Sequence, residues 1–356
     1  MMKWILYLKF LLFPFAIVYG GTLYIRNFLF RIHILKSKSF DIPLIGIGNI
    51  AVGGTGKTPM AEYLIRLLHK DFKTGYLSRG YRRKSSGFVY AGESTSPDQI
   101  GDEACMINSR FYDLEVAVDE KRVRGVEQIL QIRPGLQTII LDDVFQHRYI
   151  NPGLKILLTD FNNPLYKDFL MPVGMLREYK RARKRADIIM VTKCPESLSK
   201  KQREEILLKI RANRNQKVFF TGLSYGEAIS LEGNIQNALD NQTNVFLITG
   251  IASPKTLIAY LKGKIKELNT LIFPDHHHFS NRDMKRIEEK MKELKCEDSI
   301  IITTEKDAVK IRSLEGIPAK ILNNIYVLPV KMSILFDEEA YFDQLVQSYV
   351  RENLPK

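Results

Sequence analysis

The chain has little cysteine: Cys105, Cys194 and Cys296 are few, odd in number and far apart in 356 residues. That argues against a disulfide framework or a zinc knuckle and suits a reducing cytoplasm. Internal repeats and low-complexity tracts are also missing, and the composition is that of a globular protein rather than a disordered or collagenous one. Long uncharged apolar runs are scarce. The most apolar segment, Met1 to Ile32, has only Lys3, Lys9, Arg26 and Arg31 charged, and its uncharged part, Phe10 to Ile25, holds Pro14, Gly20 and Gly21. That part falls short of the roughly 20 residues of a spanning helix, so an interfacial or re-entrant helix over 1–32 fits better. A cleaved signal fits less well, because no small-x-small cleavage site follows. Charge is unbalanced: 53 Lys and Arg against 40 Asp and Glu leave +13. The excess favours an acidic partner, whether nucleic acid, an anionic membrane surface or a phosphorylated substrate, without choosing among them.

The densest information lies between Pro43 and Pro59. A strand-like run, Leu44-Ile45-Gly46-Ile47-Gly48-Asn49-Ile50, breaks into Ala51-Val52-Gly53-Gly54-Thr55-Gly56-Lys57-Thr58. A small residue, four of any kind and Gly-Lys-Thr, set between a strand and a helix, is the pattern of a phosphate-binding loop. Gly53, Gly54 and Gly56 let backbone N–H groups turn inward around an anion, and Thr55 lies among them. Lys57 is placed to reach terminal phosphates and Thr58 to offer its hydroxyl to magnesium, with the positive end of the next helix aimed at the same phosphates. Met60, Tyr63, Leu64, Leu67 and Leu68 supply the apolar stripe of that helix.

Further short apolar runs alternate with helical stretches, which predicts a mostly parallel α/β sheet. A strand at 73–77 ends in the basic cluster Ser78-Arg79-Gly80-Tyr81-Arg82-Arg83-Lys84, and Gly101-Asp102-Glu103 opens a helix. Those two carboxylates either complement the helix dipole or serve a metal and a proton; sequence order does not decide. A strand at 114–118 and a helix at 122–132 lead to the buried run Thr138-Ile139-Ile140-Leu141, which ends in Asp142-Asp143. An acidic residue at such a strand end, downstream of a phosphate loop, is a magnesium-binding pattern. Gln146 and His147 follow. Strands at 154–158 and 186–192 flank Gly174-Met175-Leu176-Arg177-Glu178 and the basic run 180–185. Thr192-Lys193-Cys194-Pro195 has no aspartate where a GTPase reads guanine, which favours ATP.

A second, smaller α/β unit is predicted beyond residue 216. Its strands are expected at 245–250 and 299–303, with helices at 254–261 and 282–294. A two-stranded hinge is expected from 217–222 and 324–330. Half of the six histidines lie in His276-His277-His278. Contiguous histidines point in different directions, and no helical His-x-x-x-His partner is present, which weighs against a zinc site. A catalytic histidine contributed across a cleft is the competing reading. Thr304-Glu305-Lys306-Asp307 sits at the next strand end and suits the same cleft.

Taken together and in this order, these motifs resemble the tetraacyldisaccharide 4'-kinases, or lipid A 4'-kinases, over most of the chain. The likeness rests on the apolar N-terminus, the Gly53 to Pro59 loop, Leu77-Ser78-Arg79-Gly80-Tyr81, Gly101-Asp102-Glu103, Leu141 to His147, Gly174 to Glu178, Asp275-His276-His277 and Thr304 to Asp307. One departure is Val144, where the family often has glycine. The resemblance implies a P-loop NTPase-like domain at 33–216, a smaller domain at 217–356 and an N-terminal membrane-associated helix. It implies transfer of the ATP γ-phosphoryl group to the 4'-hydroxyl of a tetraacylated glucosamine disaccharide 1-phosphate, with ATP and Mg²⁺, on the cytoplasmic face of the inner membrane. Asp102 would be the base, paired with His276, and Lys57 would neutralise charge on the moving phosphoryl group. Thr58, Glu103, Asp142 and Asp143 would organise magnesium; Arg79, Gln146, His147, Arg177 and Glu178 would lie near phosphates or sugar. The partners implied are a glycolipid and a membrane surface, with no nucleic acid. The alternatives are a nucleotide-switched P-loop protein that binds membrane or nucleic acid, and a P-loop kinase of another small substrate.

Overall fold

The computed structural model describes residues 2–231, 239–251, 254–275, 277–296 and 298–355, with side chains from Leu11 onward except Lys320. Its strands are β1 Leu44–Asn49, β2 Thr74–Ser78, β3 Val89–Tyr90, β4 Glu115–Val118, β5 Thr138–Leu141, β6 Leu154–Asp160, β7 Ile188–Thr192, β8 Lys217–Tyr225, β9 Ile229–Ser230, β10 Asn244–Thr249, β11 Glu267–Ile272, β12 Ile300–Thr304, β13 Ile325–Leu328 and β14 Val330–Ile334. Its helices are α1 Met2–Arg31, α2 Lys57–Leu68, α3 Pro97–Ile100, α4 Asp102–Arg110, α5 Arg122–Ile132, α6 Lys200–Ile210, α7 Lys255–Lys262, α8 Asn281–Glu293, α9 Glu305–Arg312, α10 Ala319–Leu322 and α11 Glu339–Glu352.

Two sheets organise these elements. The larger runs β14-β8-β7-β6-β1-β5-β2-β4-β3, parallel throughout except at its two edges, where β14 and β3 run antiparallel to their neighbours. All six residues of β1 are buried, as expected for a central strand covered on both faces. Successive side chains point to opposite faces. Ile45 and Ile47 join Met60 and Leu64 of α2, Ile107 of α4 and Phe342, Val346 and Val350 of α11. Leu44 faces the other way, into a layer with Val126 and Ile129 of α5. Leu64 is fully buried in the first layer, and truncating it to alanine is expected to cost about 2–5 kcal/mol. Val144, the departure from the family pattern, is buried, and its Cγ1 lies 2.8 Å from where a β-carbon on Gly46 would stand. The Pro152 ring lies equally close, so Val144 and Pro152 together leave residue 46 no room for a side chain.

The smaller sheet runs β11-β10-β12-β13-β9. The chain passes between the sheets at one place. Tyr225 of β8 pairs with Val330 of β14, and the antiparallel register continues to Thr221 with Ile334. The hinge expected from 217–222 and 324–330 is displaced: β8 pairs with 330–334, while Ile325–Leu328 lies in the smaller sheet between β12 and β9. Pro329 separates two apolar runs that read in sequence as one strand.

The N-terminal helix runs continuously from Met2 to Arg31, through Pro14. Among the described residues no helix is long and apolar enough to cross a membrane. Its C-terminal half is docked on the large-sheet unit. Gly20 packs closely there: a β-carbon would come within 2.7 Å of the Tyr179 hydroxyl oxygen, which would have to shift. Arg26 lies 2.5 Å from the fully buried Glu178 carboxylate. Arg148 donates to the Asn27 side-chain oxygen at 2.8 Å and stacks on Phe30. Leu11, Phe13, Phe15, Ile17, Val18 and Ile25 remain exposed.

Candidate active site

The loop after β1 is shaped by backbone conformation. Gly53 (φ 109°) and Gly56 (φ 87°) occupy the left-handed region that glycine alone adopts freely. A β-carbon on Gly53 would meet nothing within 4 Å, so the constraint there is torsional rather than steric. The Asn49 side chain donates to the Thr55 hydroxyl at 2.8 Å, and the Thr192 hydroxyl donates to the Thr55 carbonyl at 2.8 Å. These two bonds fix the loop to the ends of β1 and β7. Lys57 and Thr58 begin α2, where the first N–H groups have no intrahelical acceptor and the helix dipole favours an anion.

Beyond β5, Asp142 is buried and accepts from the Tyr76 hydroxyl at 3.0 Å and from the Asp143 N–H at 2.8 Å. Its main-chain carbonyl accepts from Arg122 at 2.9 Å, and Arg122 also donates to the Asp119 carbonyl at 2.5 Å. Burial pushes the Asp142 carboxyl above its ordinary range, with Lys57 pulling the other way. Burial also acts on Asp143, but there Lys57, at 3.6 Å, and Arg177, at 3.1 Å, outweigh it and hold the carboxyl at about 2. One acid of the pair is thus firmly ionised and the other is short of positive charge.

That imbalance suits a divalent cation. Among the described residues no cluster of three His, Cys, Asp or Glu side chains is arranged to hold a metal by itself. Magnesium bound with a nucleotide needs less: one or two carboxylates and a hydroxyl, with phosphate oxygens and water completing the shell. Thr58, Asp142 and Asp143 provide those donor types.

The second acidic pair opens α4, and its cationic partners come from α9. Lys310 Nζ lies 2.7 Å from Asp102 Oδ2 and donates to the His277 carbonyl at 3.1 Å. Lys306 lies 3.4 Å from Glu103 and 3.5 Å from Asp275. At the far end of α4, Arg110 bridges Glu62 of α2 and Glu305 of α9, each at 2.7 Å. The start of α9 is pinned by Asp307, which accepts from the hydroxyls of Thr249 (2.9 Å) and Thr304 (2.8 Å) and from the Gly250 N–H (3.0 Å). Tyr76 links the two acidic pairs: burial, Asp142 and Glu103 all raise its phenol.

The remaining sequence-predicted residues divide. Gln146 donates to the Asn49 carbonyl at 2.5 Å, and Arg177 bonds both the Asn49 side chain and Asp143, so both border the glycine loop. Burial, and then the charge of Arg122, pull the His147 imidazole down to about 4, which keeps it neutral. Arg79 is exposed at the end of β2 and is among the charges that depress His147. Glu178 is different. Its fully buried carboxylate meets Arg26, Asn27 and Arg185, so its visible contacts secure α1 rather than border the loop. His276 lies outside the described residues. His277 stacks on Phe273, with ring centroids 4.5 Å apart, and His278 is exposed. Sequence reasoning missed Arg122 and Lys310, which are arginine and lysine at helical positions that normally face solvent.

A glycine loop at the carboxyl end of a central parallel strand, with paired acids at the neighbouring strand end, defines an α/β protein with its candidate ligand site at the carboxyl ends of its strands. Residues 8–351 match the family described as Tetraacyldisaccharide-1-P 4'-kinase. The chain is 44% identical over 348 residues to the tetraacyldisaccharide 4'-kinase of Flavobacterium johnsoniae, covering 98% of each. It is 42% identical over 348 residues to that of Phocaeicola vulgatus, covering 96% of this chain and 95% of that one. A crystal structure of LpxK from Aquifex aeolicus in complex with ATP superposes with a TM-score of 0.73 at 26% identity, covering 96% of this chain and 99% of that one. The chain belongs to the tetraacyldisaccharide-1-P 4'-kinase family.

Proposed function

We propose that this chain transfers the γ-phosphoryl group of ATP to the 4'-hydroxyl of a tetraacylated glucosamine disaccharide 1-phosphate, a step of lipid A synthesis. The observation that carries the reading is Lys57 set against Asp143, beside an Asp142 that accepts from Tyr76, with Glu103 of the second acidic pair near enough to raise the Tyr76 phenol, in a chain that matches this kinase family over residues 8–351.

Phosphoryl transfer asks for positioning and charge neutralisation more than for covalent chemistry. In this reading the Gly53 to Thr58 loop is a P-loop that cradles the nucleotide phosphates with its N–H groups. Lys57 neutralises charge on the moving group. Arg177, Arg79, Gln146 and His147 border phosphates or sugar, and neutral His147 adds hydrogen bonds without further charge. Asp102 takes the hydroxyl proton, with His276 as its partner. Thr58, Asp142 and Asp143, with Glu103 nearby, would hold Mg²⁺, which supplies electrostatic stabilisation of the phosphates when bound. The unit built on the smaller sheet closes over the cleft and excludes water, which limits wasteful ATP hydrolysis.

The lipid substrate reaches this site from a membrane. The exposed apolar face of α1 lies in the interface, and Arg181 and Lys184, the exposed members of the basic run 180–185, meet anionic headgroups on the cytoplasmic side of the inner membrane. The division into 1–32, 33–216 and 217–356 belongs to the same reading, with β8 and β14 as the connection. The test is transfer of label from γ-labelled ATP, with Mg²⁺ and the full chain in detergent, to tetraacylated disaccharide 1-phosphate. Label in the lipid is expected. Label released only as free phosphate, whatever the lipid added, would sink the proposal and favour a nucleotide-switched protein.

A further inference from the structure

Lysine is rarely buried, because its ammonium loses hydration that only close acceptors can replace. Lys310 is buried all the same, with its side chain 6% exposed. Its two acceptors are the Asp102 carboxylate of the large-sheet unit and the His277 carbonyl, in the segment between β11 and α8 of the smaller one. A rotation of the Asp102 side chain would therefore break a charge-assisted bond in a site with little water to replace it.

The neighbouring contacts do a different job. Lys306 stands farther from its carboxylates and is more exposed, while Arg110 with Glu62 and Glu305 ties α2, α4 and α9 together away from Asp102. These would hold the two units side by side whether or not Lys310 were present.

We propose that Lys310 is a positioning residue: it fixes the orientation of Asp102 and makes that orientation depend on the smaller unit being seated on α4. The inference rests on the reading of Asp102 as the proton acceptor. Lys310 acts through Asp102, whose Oδ2 it holds at 2.7 Å, and is given no contact with the substrate. It supplies the second half of an arrangement that the large-sheet unit does not complete alone.

The test is a double-mutant cycle on the full chain in detergent, scored as kcat and as KM for ATP. A misplaced reacting group costs about 10²-fold. Lys310→Met is accordingly expected to lower kcat by about that factor and to leave KM for ATP within about twofold. Lys310→Arg, which keeps the charge, should recover part of the loss. In an Asp102→Asn background, Lys310→Met should cost less than about twofold, because the group it positions is no longer a base. Equal losses in both backgrounds, or a KM rise that carries the whole effect, would overturn the positioning role. Lys310→Gln repeats the cycle if the methionine variant does not fold. If Asp102→Asn alone keeps wild-type turnover, the base assignment fails instead, and the two failures are distinguishable.

Discussion

Asp142 and Asp143 are held by their own sheet: Tyr76 from β2, Arg122 from α5, Lys57 from α2 and Arg177 from the segment before β7. Asp102 and Glu103 have the opposite arrangement, since Lys310 and Lys306 both come from α9 beyond the strand connection. The first pair is complete wherever the smaller unit sits; the second is complete only when α9 lies against α4. Within the proposed kinase, the nucleotide half is preformed in the large-sheet unit, whereas the proposed base, Asp102, takes a partner from α9.

Four experiments break or sharpen that contrast. The largest effect is expected from Asp102→Asn, because a positioned general base contributes on the order of 10²–10⁴-fold; kcat for labelled phosphoryl transfer reads it, and nucleotide affinity should not change. Lys57→Met attacks the preformed half and should lower kcat/KM by on the order of 10²–10³-fold, the cost of removing one preorganised charge-stabilising group. A loss confined to acceptor KM would contradict the assignment. Arg122→Met removes a buried cation and leaves the Asp142 and Asp119 carbonyls unpaired, so urea denaturation should show a loss of about 3 kcal/mol. That loss should be the same whether or not Lys310 is also replaced.

The smallest effect concerns the far end of α4. Burial is the main influence on Glu62 and raises its carboxyl from 4.5 to about 7, against the pull of Arg110. Its folded-state value therefore lies above its unfolded one. The native protein holds the extra proton between those values, so stability from this group is full below pH 4.5, declines through that window, and is lost above about 7. The whole excursion is at most about 3 kcal/mol, taken from the width of the window. Glu62→Gln should flatten the wild-type decline between pH 5 and pH 7.5 in urea titrations. An unchanged slope would mean that Arg110 keeps Glu62 ionised throughout.

Much of the large sheet was legible because its signals are local. The glycine loop, the helix at 122–132 and the run Thr138 to Leu141 each depend on residues within a few positions of one another, and their boundaries agree with α5 and β5. The strand Glu267–Ile272 was not legible, because it is a half-exposed edge strand with little burial to impose a pattern. Nor was α11, whose apolar stripe acquires meaning only against α2, far back in the chain. The acids of the candidate site were found by type and position. The cations that hold two of them were not, since Asp102 and Lys310 are joined by packing rather than by spacing. Glu178 shows the reverse: its place in a motif suggested substrate, while its visible contacts belong to α1.

The pairing of Tyr225 with Val330 also sets an order of events during synthesis. The polypeptide leaves the large sheet at one point and rejoins it at the same point, about a hundred residues later by sequence number. The edge strand β14 and the helix α11, which cover the buried face of α2 with Met332, Phe342, Val346 and Val350, emerge from the ribosome last. Until they do, the helix behind the glycine loop has one apolar flank uncovered, and the smaller unit is already made. A nascent chain cut short anywhere before residue 330 would leave that flank of α2 uncovered and would be a target for chaperones and proteases.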